Sequence, residues 1–120
     1  MTERTRESHG PFSHLLLYHL VFSTKDREPW LQTELRPRLG EYLSGAIRRE
    51  GGFCLLANGV SDHVHLLARL RQDKAISQVL RSIKANSSGW IHDAFHWQDG
   101  YGAFTVSKSQ METVCRYIVR

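Results

Sequence analysis

Residues 62–70 read D-H-V-H-L-L-A-R-L. Alternate side chains of a β-strand point to opposite faces of its sheet. As a strand, this stretch puts Val64, Leu66, Ala68 and Leu70 on one face, which is wholly apolar. His63, His65, Leu67 and Arg69 take the other. The apolar face is a buried back, and the histidine face is a front left free for polar work.

The flanking segments supply what such a strand needs to pack on. Upstream, Asn58, Gly59 and Ser61 mark a tight turn, and Phe53–Ala57 reads as a preceding strand, so the two form a hairpin. Further back, His14–Ser23 is apolar on both faces, with Leu15, Leu17 and Val21 opposite Leu16, Tyr18, Leu20 and Phe22. That pattern belongs to a central strand. Between these strands, Leu31, Leu35, Leu39, Leu43, Ala46 and Ile47 recur at helical spacing. Pro37 is tolerated only near the helix start, and Gly51 and Gly52 end it.

Downstream, Ile76, Val79, Leu80, Ile83, Trp90 and Ile91 mark a second helix. The run W-Q-D-G-Y-G-A-F-T-V is a loop or short strand. Ser107 with Gln110 forms a capping box that opens a last helix running to Arg120. The order strand, helix, strand, strand, helix, short strand, helix predicts an α+β sandwich of the ferredoxin-like type. It has an antiparallel sheet with helices on one face, and the C-terminal helix carries a tyrosine. Residues 1–12 are expected to be a flexible arm, and 13–120 a single domain.

The chain has 120 residues, 41% hydrophobic, a formal charge of +4 and a pI near 9.4. That composition suits one folded domain and a nucleic-acid partner. No apolar run approaches the roughly 18 residues of a membrane span, and the polar N-terminus lacks signal-peptide features. The expected location is cytoplasmic, with no membrane partner. Cys54 and Cys115 lie far apart in apolar contexts and read as buried thiols.

Two imidazoles at i and i+2 on a strand can point at one ion, although the spacing alone also fits two partly exposed histidines with none. In the last helix, Met111, Val114, Cys115 and Ile118 form an apolar stripe. Tyr117 lies at its edge, where the ring packs and the hydroxyl reaches solvent. A tyrosine can act as a covalent nucleophile, and it can equally be an ordinary boundary residue.

H-V-H-L-L matches the His-hydrophobe-His signature of the HUH endonucleases. Nearly the whole chain, about residues 14–120, resembles a single-tyrosine HUH transposase of bacterial insertion sequences, the TnpA type. Y-H-L-V-F-S-T-K-D-R-E-P resembles that family's first strand and basic loop. G-V-S-D-H-V-H-L-L resembles its metal strand, W-Q-D-G-Y-G-A-F-T-V-S the segment before its catalytic helix, and V-C-R-Y-I the turn bearing its tyrosine.

The resemblance implies that His63 and His65 hold Mg²⁺ or Mn²⁺. It also implies that Tyr117 attacks a phosphate of single-stranded DNA, leaving a 5′-phosphotyrosine link and a free 3′-hydroxyl. Implied too are a homodimer, recognition of DNA hairpins, a tyrosine helix able to serve the partner's metal site, and a third ligand. That ligand is a glutamine one helical turn after the tyrosine, a position just past Arg120.

Lys25, Arg27, Arg69, Arg81 and Lys84 are candidates for phosphate contacts. Trp97, Tyr101 and Phe104 suit either base stacking or the core, with Phe104 favoured as core. A second reading keeps the fold and hairpin recognition without cutting. A third is a ferredoxin-like phosphoesterase, a class that uses two separated His-x-Ser/Thr motifs, and the chain has none.

Overall fold

The computed structural model describes residues 15–92 and 95–119, so the expected N-terminal arm lies outside the described residues. Its core is a four-stranded antiparallel sheet of β1 (Leu15–Ser23), β2 (Phe53–Gly59), β3 (His63–Arg71) and β4 (Gly102–Thr105), in the order β2-β3-β1-β4. Three helices accompany it: α1 (Leu35–Arg49), α2 (Ile76–Ile91) and α3 (Met111–Val119). The central place of β1 accords with its two apolar faces. One face contributes Leu20 and Phe22 to the main core, and the other contributes Leu17 to a smaller one.

The main core lies between the sheet and helices α1 and α2. Val64, Leu66, Ala68 and Leu70 meet Leu39, Leu43 and Ile47 of α1 and Val79, Leu80 and Ile83 of α2. Trp97 joins them at 7% exposed. Its indole Nε1–H donates to the Ser87 hydroxyl at 2.9 Å. Ser87 in turn donates to the Ile83 carbonyl, so neither buried polar group lacks a partner.

The end of α1 follows from Gly51. Its φ of +86° is left-handed, where a side chain is disfavoured, and a Cβ there would meet the Arg71 side chain at 2.6 Å. Gly51 N–H reaches the Arg48 carbonyl and Gly52 N–H the Ile47 carbonyl, which closes the helix with a Schellman motif.

Helix α3 lies across the other face of the sheet. The expected stripe packs there, with Ile118 against Leu17, Leu67 and Val106, and Met111, Val114 and Cys115 around them. The capping box forms ahead of α3, where the Gln110 side chain accepts the Ser107 N–H at 3.1 Å. Cys54 and Cys115 are free thiols, half-buried on opposite faces of the sheet.

Phe104 corrects an expectation. It is 58% exposed, because alternation in the short edge strand β4 turns it to the histidine face, beyond the cover of α3. Its neighbour Ala103 faces the main core instead. Among the described residues, no helix is long and apolar enough to cross a membrane.

Candidate active site

His63 and His65 leave β3 on the face that α3 partly covers, with ring centroids 5.0 Å apart and planes at 74°. They line a cleft of about 470 Å³ together with Tyr117, His19 and Arg27. Helix α3 brings the Tyr117 ring to 5.4 Å from that of His65, edge to face, while the tyrosine stays 56% exposed. The nucleophile candidate and the imidazole pair therefore share one open cavity. Tyr101 and Phe104 also line it, and Trp97 does not.

The polar surroundings fix the pair. The Thr24 N–H donates to the Asp62 carbonyl at 2.9 Å, anchoring the start of β3. The Asp62 carboxylate accepts from His63 Nδ1 at 2.8 Å and from Arg27 Nε at 3.0 Å. The hydrogen bond from His63, then that from Arg27, holds the Asp62 carboxyl below its usual range, so it is ionised at neutral pH. A carboxylate can only accept. A neutral His63 therefore carries its proton on Nδ1 and presents a lone pair on Nε2.

Burial is the main cause that lowers the His65 pKa to about 4, helped by His63 and His19, so His65 is neutral at pH 7. This donor chemistry fits a divalent ion. It offers two imidazoles on one strand, one of them oriented through a carboxylate as metal-bound histidines commonly are. Among the described residues, no group of three His, Cys, Asp or Glu side chains makes a complete cage.

The basic candidates scatter. Arg27 reaches the cleft, with its guanidinium committed to Asp62. Its backbone, like that of Asp26, is left-handed at φ 56°. Lys25 is exposed on the same turn. Arg69 shares the histidine face but stands four residues along β3, roughly 13 Å from His65 at strand spacing.

Arg81 and Lys84 sit on α2 and line a second depression. Lys84 Nζ donates to the carbonyls of Gln98 and Gly100 at 2.7 and 2.9 Å. It thus ties down the loop that walls the cleft, and burial lowers its pKa.

Sequence reasoning missed two contributors. Asp62 directly precedes the H-V-H motif, so its position was a signal. His19 belongs to the His14–Ser23 strand segment, where no sequence motif joins it to the pair. It lies in β1 diagonal to His65, and its Nε2 is 2.9 Å from His65 Nδ1.

Comparison with known proteins gives a consistent picture. ISDra2 transposase TnpA of Deinococcus radiodurans is 25% identical over 118 residues, spanning 89% of this chain and 84% of that protein. A crystal structure of a Deinococcus radiodurans R1 protein assigned as a transposase superposes with a TM-score of 0.70. It has 24% identity and covers 87% of this chain and 88% of its own. A REP associated tyrosine transposase bound to a REP hairpin superposes at 0.66, with 16% identity over 86% of this chain and 64% of that one. The sequence profile of the family described as "Transposase IS200 like" matches residues 12–120, and the chain belongs to that family.

Proposed function

We propose that this chain nicks and rejoins single-stranded DNA with Tyr117 as its nucleophile. The observation that carries the reading is the placement of the Tyr117 ring 5.4 Å from His65, in the cleft that also holds His63. The tyrosine oxygen attacks the scissile phosphorus and gives up its proton. A Tyr–O–P bond forms, the P–O3′ bond breaks, and the departing 3′ oxygen takes a proton. The free 3′-hydroxyl later reverses the exchange on the same or another strand, since each step trades one phosphodiester for another.

His63 and His65 would hold Mg²⁺ or Mn²⁺ through Nε2. Such an ion, when bound, supplies Lewis-acid polarisation of a phosphate oxygen. Arg27 and Asp62 hold the His63 ring in orientation, and Lys84 holds the loop over the cleft.

The substrate is single-stranded DNA with hairpin ends. The hairpin in the related transposase complex supports this, as does the net charge of +4. A homodimer is the expected assembly, checked by light scattering at micromolar concentration, and the cytoplasm is the expected location. Binding should favour hairpin DNA over duplex and weaken as salt rises, because phosphate contacts release counterions.

The test is incubation with single-stranded element ends and Mn²⁺, read on a denaturing gel. A covalent protein–DNA band that disappears in Tyr117→Phe supports the reading. A band that persists in Tyr117→Phe overturns the assignment and directs attention to Tyr101, which lines the same cleft. Hairpin binding with no band in the native chain supports a second reading, a hairpin-binding remnant that does not cut.

A further inference from the structure

His19 is the third imidazole of the cleft. It stands in β1 two residues from Val21, the cross-strand partner of His65, so the two rings are diagonal neighbours on one sheet face. Their planes are nearly parallel at 22°, their centroids 5.1 Å apart, and His19 Nε2 is 2.9 Å from His65 Nδ1. One nitrogen of His65 is thereby occupied, and only Nε2 is left to face a ligand. An imidazole nitrogen can ligate only if it carries no proton, so a ligating His65 must bear its proton on Nδ1.

We propose that His19 is a positioning residue: its Nε2 accepts the Nδ1–H of His65 and so holds the His65 Nε2 lone pair open toward the cleft. The inference rests on the metal-binding reading of His63 and His65 given above. His19 then does for His65 what Asp62 does for His63. Both imidazoles of the pair are locked in the same tautomer, one by a carboxylate and one by a neutral ring.

The experiment uses the full chain labelled with ¹⁵N at histidine. Long-range ¹H–¹⁵N correlation at pH 7 reads which nitrogen of each ring is protonated, with no metal added. The expected result is a proton on Nδ1 of His65 and a bare Nε2; a proton on Nε2 overturns the inference.

Mn²⁺ titration, followed by paramagnetic line broadening, gives an independent reading. His19→Phe keeps a ring but deletes the acceptor, and should weaken Mn²⁺ binding about 10–100-fold. His19→Gln restores an acceptor oxygen and should recover most of that loss, which a purely packing role would not do. Unchanged Mn²⁺ binding in His19→Phe, with binding lost in His63→Ala and His65→Ala, overturns this inference and leaves the site reading standing. Unchanged binding in all three removes the site reading and the inference with it.

Discussion

Ile118→Ala tests whether α3 is a separately held element. Ile118 is 1% exposed, in a small cluster with Leu17, Leu67 and Val106 on the face opposite the main core. The substitution removes three buried carbons, worth about 2.4 kcal/mol of transfer free energy. The space left behind raises the cost within the roughly 2–5 kcal/mol usual for such truncations. Alanine regains at most about 0.5 kcal/mol in helix propensity, too little to offset this. With nine residues, α3 is below the length at which a helix persists alone, so its stability is its docking. The Asn58 side chain, which donates to the Ile118 carbonyl, adds only about 1 kcal/mol. Native-state hydrogen exchange should therefore show α3 amides opening at least about 20-fold more often. Amides of β1 and β3 should change far less, because their other face keeps the large core. Equal loss of protection in α3 and in the sheet, or no change in α3, would refute the separate docking of this helix.

Three further outcomes are expected. Ser87→Ala leaves the Trp97 indole N–H buried without its acceptor and should cost about 1–3 kcal/mol in urea unfolding; a midpoint unchanged from the native chain would contradict that role. The Ser82 hydroxyl, chiefly, together with Lys74, holds the Glu50 carboxyl below its usual range. Its folded pKa is thus below its unfolded one, so the stability it adds is complete above about pH 4.3 and fades as pH falls through the lower folded value. Glu50→Gln should flatten that acid limb, and an unaltered urea midpoint profile between pH 6 and pH 3 would count against it. Asp62→Ala frees both Arg27 and His63 and should weaken Mn²⁺ binding about 10–100-fold while leaving the thermal melt nearly in place; native-like Mn²⁺ titration would remove Asp62 from the site.

The strands and helices were legible where a period was long enough to assign faces. The alternation in β3 separated core from cleft, and the i, i+3, i+4, i+7 stripe of α3 identified the residues it buries. Phe104 was misread because β4 has four residues, too few for alternation to show which face is covered. His19 could not be joined to the histidine pair, because its approach depends on the β1–β3 register, which pairs Val21 with His65. Lys84 read as a phosphate contact by charge alone. Its use of two loop carbonyls depends on where the 98–102 loop crosses α2, a tertiary fact without a local pattern.

The strand order has a kinetic side. β2 and β3 are joined by the short Val60–Asp62 loop, so the strand holding His63 and His65 can be built by a local event on the microsecond scale. His19 is 46 residues from His65 in sequence, and closing a chain segment of that length costs roughly 3 kcal/mol beyond a constant term. Tyr117 arrives from the far end of the chain. A half-folded molecule thus carries the histidine pair on its hairpin without the ring that orients it or the hydroxyl that would react. Competence is expected only after β1 has closed against β3 and α3 has settled on the sheet.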